Sequence, residues 1–325
     1  MALGHSVLSL SASAARVARR RLTRGPLRKG WPFGFEVFAD WLRRTAADIE
    51  LLPTTEQGAA WENVGLPNHV LKKVRFEQVS AGGVPAYWVK PVVGPAPERT
   101  LLYLHGGYYS SNSVNNVREL LARLCLAASA RALALDYRLA PAHPFPAAVD
   151  DALTGWRWLL STGALPSHIV PMGDSAGGGL TAALLLSLRD SGETLPPAAV
   201  LLCPWVDLAA KGGSLVENAP YDFLQPDAVP RRAKLYLGDT DAKNALASPA
   251  YADLRGLPPM LVQVGSAEMF YDQVVRFAER ARAAGVDVAL DVGADMIHVW
   301  QLLAAFFTQS REAIARVGAF VRERT

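Results

Sequence analysis

The chain has 325 residues, of which 50% are hydrophobic and 19% charged, and its formal net charge is +3. This length and apolar content can bury a large core, as one large α/β domain or as two smaller ones. The small net charge gives no global sign of nucleic-acid binding, and no apolar run approaches the roughly 18 residues that a membrane-spanning helix needs.

The first part of the chain is basic, because seven Arg and Lys residues precede the first acidic residue, Glu36. Residues 1–15 lack a basic start and their apolar residues are interrupted by Ser and Gly, which argues against a secretory signal. We interpret the basic leader as a solvated helix, in preference to a segment that binds anionic surfaces or to a transit peptide. Cys125 and Cys203 lie in apolar segments and predict buried thiols without a disulfide, which fits a cytoplasmic protein.

Helical and strand patterns then follow one another along the chain. Residues 35–52 have a helical spacing of apolar side chains, and residues 72–80 and 84–90 predict two strands joined by a Gly-Gly turn. From there strands alternate with helices: the predicted strands are 101–104, 132–136, 169–172, 199–203, 260–264 and 286–292, and the predicted helices are 114–128, 147–160, 178–188, 271–284 and 299–322. This alternation predicts an α/β fold with a mostly parallel central sheet and helices on both faces, whose ligands bind at the carboxyl ends of the strands.

The pentapeptide Gly173-Asp174-Ser175-Ala176-Gly177 stands between one predicted strand and the helix that follows it. A sharp strand-to-helix turn with the pattern G-x-S-x-G is a nucleophile elbow. The serine must adopt a strained backbone conformation, so its neighbours two positions away must be small. Ser175 is therefore the candidate nucleophile.

A second glycine motif, His105-Gly106-Gly107, follows the strand at 101–104. Alone, the motif would favour an ordinary Gly-Gly turn. Because it precedes a serine elbow in an alternating chain, we interpret it as a turn that directs backbone N–H groups toward a developing oxyanion.

A serine needs a base, and the base needs a carboxylate that orients it. Of the six histidines, His298 is the candidate base, because it directly follows the last predicted strand. Two acids follow the strand at 260–264: Glu268 lies in the loop and Asp272 inside the next helix, so Glu268 is favoured. The order Ser175, Glu268, His298 is the one found in α/β-hydrolases.

Together these residues resemble a known family, the bacterial hormone-sensitive-lipase-like (class IV) esterases of the α/β-hydrolase fold. The motif sequences most resemble those of the branch that includes monoterpene lactone hydrolases. Besides the elbow and His298, the matching segments are 101–107, 135–141, 144–152, 204–208 and 265–272. Two positions depart from the family pattern: Tyr108 stands where a third glycine is usual, and Ala142 where Glu usually follows the Ala-Pro pair.

The resemblance implies ester hydrolysis by a Ser175–His298–Glu268 triad. It also implies a helical cap, formed by residues 1–65 and a second segment at about 207–245, over a catalytic domain at 66–325. The implied oxyanion-hole donors are the backbone N–H groups of Gly106, Gly107, Tyr108 and Ala176. Candidate pocket residues are Tyr109, Asp174, Trp205, Tyr221, Phe223 and Val299, although ordinary packing explains the cap aromatics equally well.

The sequence thus predicts a serine carboxylesterase that acts on short- to medium-chain acyl esters. We expect no metal, no organic cofactor, no nucleic-acid partner and no stable membrane insertion, and the resemblance suggests a homodimer. One alternative is a lactone, carbamate or amide hydrolase with the same triad. The other is a non-catalytic small-molecule receptor on the same fold. Assays on esters, lactones and anilides separate the two hydrolase classes.

Overall fold

The structure is a computed structural model that describes residues 2–64, 69–94 and 97–325. The described strands are β1 (Val74–Ala81), β2 (Val84–Pro91), β3 (Thr100–Leu104), β4 (Arg131–Leu135), β5 (Ile169–Asp174), β6 (Ala199–Leu202), β7 (Met260–Gly265) and β8 (Val288–Gly293). They form one sheet in the order β1-β2-β4-β3-β5-β6-β7-β8. β1 and β2 form an antiparallel hairpin, β2 is antiparallel to β4, and the remaining pairs are parallel. The predicted mostly parallel sheet is confirmed.

Helices cover both faces of this sheet. They are α1 (Ala2–Arg24), α2 (Phe33–Glu50), α3 (Thr54–Glu62), α4 (Arg118–Ala128), α5 (Ala147–Ser161), α6 (Ala176–Asp190), α7 (Ser214–Glu217), α8 (Ala228–Leu237), α9 (Tyr271–Ala283) and α10 (Thr308–Arg324). Short 3₁₀ segments lie at His69–Lys73, Val114–Val117, Pro166–His168, Pro249–Tyr251 and Trp300–Leu303. Helices α4 and α10 pack on one face of the sheet, and α5, α6 and α9 pack on the other.

The central strands are apolar throughout because both of their faces are covered. In β3, Leu102 and Leu104 join the core beneath α5 and α6, whereas Leu101 and Tyr103 join the core beneath α4 and α10. All four side chains are fully buried, and burying a Leu contributes about 1.5–3 kcal/mol. The rigid sheet fixes where each strand ends, and the loops that leave those ends carry the candidate site.

The predicted single helix at 299–322 is wrong at its start. The structure has the 3₁₀ segment Trp300–Leu303, a break, and then α10. Val299 has a left-handed backbone (φ 44°), and its N–H donates to the sulfur of Cys203 at 3.2 Å. The backbone is left-handed at Val299 and extended at Phe307 (φ −118°, ψ 136°), so it is not helical at either position, and apolar periodicity does not reveal this.

The helices of the N-terminal segment lie over the carboxyl ends of the strands. Trp31 Nε1 donates to the carbonyl oxygen of Asp295 at 2.7 Å, and the Arg28 guanidinium contacts the Asp295 carboxylate at 2.7 Å. Four of the seven leader cations form ion pairs within the fold: Arg16 with Asp40, Arg20 and Arg21 with Glu36, and Arg28 with Asp295. These pairs join the leader to the fold, and the interpretation of the leader as a solvated helix stays a prediction.

The boundary predicted between residues 65 and 66 lies outside the described residues. Among the helices that the structure describes, none has both the length and the apolar character needed to cross a membrane.

Candidate active site

Ser175 sits at the corner between β5 and α6 with backbone angles of φ 55° and ψ −119°. Non-glycine residues rarely have a positive φ, and such strain is typical of functional turns. The sharp turn is possible because both glycines lack a Cβ. A Cβ on Gly173 would overlap the carbonyl oxygen of Gly177, and a Cβ on Gly177 would overlap the carbonyl oxygen of Leu104. The Ser175 N–H donates to the carbonyl oxygen of Leu202 on β6 at 2.8 Å, which anchors the turn to the sheet.

The structure brings Ser175, His298 and Glu268 together. His298 Nε2 lies 2.8 Å from Ser175 Oγ, and His298 Nδ1 lies 3.4 Å from Glu268 Oε1. The other Glu268 oxygen accepts the N–H of Gly265 at 2.8 Å. The alternative acid, Asp272, lies in the first turn of α9, where its carboxylate accepts the N–H of Ser214 at 2.7 Å.

The surroundings of His298 favour its protonated form. Burial by itself would lower the pKa of His298, but the Glu268 carboxylate, with smaller contributions from Asp222 and Asp174, raises that pKa above its ordinary value. A base that stabilises a proton in this way is suited to take one from the serine hydroxyl.

Three of the four predicted backbone N–H donors are unpaired among the described residues: Gly107 and Tyr108 in the glycine turn after β3, and Ala176 in α6. The N–H of Gly106 donates to Asp174 Oδ1 at 3.0 Å, which removes Gly106 from the predicted oxyanion hole. Ala176 is the first residue of α6, and the first N–H groups of a helix lack an intrahelical acceptor.

Buried polar groups hold the turn in place. Tyr103 donates its hydroxyl to Asp174 Oδ1 at 2.6 Å, and Tyr137 donates to the carbonyl oxygen of His105 at 2.6 Å. His105 Nδ1 lies 2.7 Å from the carbonyl oxygen of Gly106, so that nitrogen must carry the proton. Burial lowers the pKa of His105, which keeps its ring neutral.

Tyr108, which replaces the usual third glycine, has a left-handed backbone with φ 56°. A glycine adopts this conformation readily, which explains the family preference. Its ring packs edge-on against Trp205, with ring centroids 5.7 Å apart, and lies 5.8 Å from the Arg232 guanidinium. The ring therefore forms part of the cavity wall without removing the N–H donor.

A cavity of about 170 Å³ opens beside Ser175. Apolar side chains such as Leu42, Ile49 and Leu302 form much of its wall, and Glu50 and Gln57 lie among its polar residues. Of the predicted pocket residues, Asp174, Phe223 and Val299 line it.

The other three predicted pocket residues pack elsewhere. Tyr109 is buried against Tyr236, with ring centroids 3.8 Å apart, and Trp205 stacks on Phe270 at 5.6 Å. Tyr221 packs edge-on against Trp31, with centroids 6.3 Å apart. An aromatic residue near a strand end can turn toward the core or toward the pocket, and the sequence pattern does not separate the two.

Sequence reasoning missed the contacts of two residues next to His298 and Glu268. Asp222 is fully buried, and its carboxylate accepts the backbone N–H of His298 at 3.1 Å. Cys203 was predicted to be buried, but its thiol also lies beside the acid: Glu268 raises the pKa of Cys203 beyond the larger increase that burial causes. Neither residue belongs to a motif, so the sequence offered no signal for these contacts.

The ligand atoms of Cys203, Glu268 and His298 lie within 4.8 Å of one another, the one cluster of possible metal donors found in the described part of the chain. Sulfur, oxygen and nitrogen donors suit Zn²⁺. A metal held there would displace the hydrogen bond between His298 and Glu268. The cluster therefore consists of the His298–Glu268 pair and the thiol beside it.

A serine elbow served by a histidine at the carboxyl ends of a mostly parallel sheet defines a class of protein, the α/β-hydrolases with a serine nucleophile. Comparison with known proteins then gives the family. A family model of the alpha/beta hydrolase fold matches residues 101–302. An acetyl-hydrolase of Streptomyces hygroscopicus is 43% identical over 267 residues, 82% of this chain and 86% of that protein.

Solved structures agree. An esterase from the bacterial hormone-sensitive lipase family has a TM-score of 0.82 at 42% identity, and the match covers 88% of this chain and 97% of that one. An esterase/lipase from an uncultured bacterium has a TM-score of 0.80 at 38% identity, covering 88% and 98%. The chain belongs to the α/β-hydrolase family, in its bacterial hormone-sensitive-lipase-like branch, and it is a carboxylic ester hydrolase. The narrower likeness to monoterpene lactone hydrolases stays a prediction.

Proposed function

We propose that this enzyme hydrolyses short-chain carboxylic esters through Ser175, with His298 as base and Glu268 as the orienting acid. The observation that carries the proposal is the 2.8 Å contact between His298 Nε2 and Ser175 Oγ at the mouth of a largely apolar cavity. The buried carboxylate behind the imidazole supplies the third member of the triad.

The reaction has two steps. Ser175 Oγ attacks the ester carbonyl as its proton passes to His298 Nε2, and the N–H groups of Gly107, Tyr108 and Ala176 bind the oxyanion. The protonated His298 then gives its proton to the leaving alcohol, and the acyl group stays on the serine. A water molecule, deprotonated by the same imidazole, releases the acid and restores Ser175.

The size of the cavity favours a short acyl chain. Its volume of about 170 Å³ is similar to that of a cavity that holds benzene, roughly 150 Å³. We therefore propose acetyl to hexanoyl esters as the preferred substrates.

Helices α1–α3 and the segment at about 207–245 supply a cap over this cavity. Side chains from both parts support this assignment, because Leu42 of α2 and Phe223 of the second segment line the cavity. The homodimer and the cytoplasmic location remain predictions, which light scattering and cell fractionation test.

The proposal is tested by replacing the nucleophile. We expect Ser175→Ala to lower kcat on p-nitrophenyl butyrate by at least ~10³-fold, because the remaining catalysis comes only from the oxyanion hole and binding. A fluorophosphonate should add its mass to Ser175 in the wild type and not to the variant. Turnover by Ser175→Ala at the wild-type rate would refute the assignment.

Lactones use the same chemistry, so the substrate panel also compares acyl esters of graded length with lactones and anilides. A kcat/KM that is highest on short acyl esters supports the proposed substrate class. A rate much higher on lactones would move the enzyme to the lactonases without changing the triad.

A further inference from the structure

A buried carboxylate of the second cap segment, Asp222, reaches the backbone of the catalytic loops. One of its oxygens accepts the N–H of His298 at 3.1 Å and that of Phe223 at 2.8 Å. The other accepts the N–H of Met269, the residue after Glu268, at 2.8 Å. The side chain is fully buried, and each of these bonds has a charged acceptor, which makes it stronger than a neutral one.

A second residue of the same segment holds the acid loop. Asn218 Nδ2 lies 2.9 Å from the carbonyl oxygen of Glu268 and 3.3 Å from that of Ser266. Asn218 and Asp222 are also joined to each other, because the N–H of Asp222 donates to the carbonyl oxygen of Asn218 at 3.1 Å. One short turn therefore contacts both loops that carry the base and the acid.

The residues on either side of Asp222 connect this turn to the rest of the cap and to the pocket. Tyr221 packs against Trp31 and lies 4.7 Å from the Arg28 guanidinium, both in the N-terminal segment. Phe223 lines the cavity, and its ring centroid lies 5.9 Å from that of His298. Three consecutive residues thus contact the cap, the triad backbone and the substrate cavity.

We propose that Asp222 is a positioning residue for the catalytic base, through which the cap fixes the alignment of His298 with Ser175 and adds negative charge beside the imidazole. This inference rests on the triad proposed above. It assigns to the cap a part in catalysis besides covering the cavity: a displaced cap segment removes the acceptor that holds the backbone of His298.

The charge of Asp222 acts on several groups that face it. These are His298, Glu268, Cys203 and Tyr108. Burial is the main cause that raises the pKa of Asp222 to about 6, while the nearby His298 opposes the increase. The Asp222 charge in turn helps to raise the pKa of His298.

The sign of the pH effect follows from the role of His298. The base must be neutral to accept the serine proton, so activity falls as pH drops through the pKa of His298. In the wild type we expect this acidic limb above the ordinary imidazole value of roughly 6.5. Removing the charge of Asp222 makes the imidazolium less stable and moves the limb to lower pH.

The experiment compares Asp222→Asn with the wild type by pH profiles of kcat and kcat/KM on p-nitrophenyl butyrate, normalised by fluorophosphonate titration of active sites. We expect kcat to fall by at least ~10-fold, with KM within ~3-fold of the wild-type value. The reason is that the amide NH₂ of the new side chain faces a backbone N–H donor where a carboxylate oxygen of Asp222 had accepted a hydrogen bond. The acidic limb should move down by about 0.5–1 pH unit. Asp222→Ala, which removes the charge without adding a donor, should move the limb in the same direction.

Two controls separate position from charge. Asp227→Asn makes the same exchange five residues further along the same segment, at an exposed side chain without a capping hydrogen bond. It should change neither kcat nor the pH of the acidic limb. Asn218→Ala loosens the acid loop without a change of charge, so it should lower kcat and leave the limb in place. Folded, titratable Asp222 variants with the wild-type kcat or an unmoved limb would overturn the inference. An inactive wild type would instead refute the proposed function.

Discussion

At the scale of single residues, Tyr108 stands where the resembled family usually has a third glycine, and its backbone is left-handed with φ 56°. A left-handed conformation costs an L-residue about 1–2 kcal/mol. Packing against Trp205 and Arg232 offsets this cost by burying the ring. Tyr108 thus lines the cavity, while its backbone N–H, a proposed oxyanion donor, has no partner among the described residues.

We expect Tyr108→Gly to move the preferred acyl chain to greater length. Glycine keeps the N–H and the left-handed backbone, and loss of the ring enlarges the cavity. The measurement is kcat/KM on p-nitrophenyl esters from acetate to decanoate. Tyr108→Phe keeps the ring and serves as the control, with the wild-type profile expected. If Tyr108→Gly shows the wild-type chain-length profile as well, the ring does not limit the cavity.

At the scale of elements, the β5–α6 corner depends on close approach between backbone segments. Gly177 stands where any Cβ would meet the carbonyl oxygens of Leu104 and His105. This approach places the N-terminus of α6 next to Ser175 and the glycine turn. One contact therefore sets the positions of both the proposed nucleophile and the proposed oxyanion donors.

Gly177→Ala should therefore destabilise the protein by at least ~3 kcal/mol, since backbone atoms cannot yield as a flexible side chain can. Gly34→Ala, in α2, provides the control, because a Cβ there meets no atom within 4 Å. We expect that change to stay within ~1 kcal/mol of the wild type. Urea unfolding measures both, and equal stability of the two variants would contradict the close approach.

At the scale of the whole molecule, Arg232 of α8 joins the two segments of the proposed cap to Ser110, in the loop that follows the glycine turn. Its guanidinium is fully buried and contacts Glu50 of α2 at 2.8 Å, Gln57 of α3, and Ser110 Oγ at 3.1 Å. The neighbouring Arg231 reaches the same Glu50 oxygen at 3.0 Å, but its side chain is 49% exposed. These two arginines form a natural pair for comparison.

We expect Arg232→Met to lower the free energy of unfolding by about 3–5 kcal/mol, because it leaves the carboxylate of Glu50 and the amide of Gln57 without their buried partner. Arg231→Met should cost ~1 kcal/mol or less, since an exposed ion pair contributes little. Thermal and urea unfolding give both values. Similar losses from the two variants would mean that burial of Arg232 does not connect the cap to the domain.

The sheet and the candidate site could be predicted from the sequence because the candidate catalytic residues lie just after the ends of predicted strands. Ser175, Glu268 and His298 each directly follow an apolar strand or the short turn after it, and parallel strands bring such ends to one edge. Local pattern therefore predicted the sheet, the elbow and the three residues that the structure brings together. Periodicity could not predict the break between Leu303 and Thr308, since apolar spacing continues across residues whose backbone is not helical.

The sequence by itself determined the fold class and the chain order of the site, because glycine sterics and strand alternation act between near neighbours. Only the tertiary structure decided which groups surround that site. It directed the N–H of Gly106 to Asp174, turned Tyr109 and Trp205 into the core, and placed Asp222 behind His298. These outcomes depend on contacts between segments far apart in the chain, and local residue patterns do not predict such contacts.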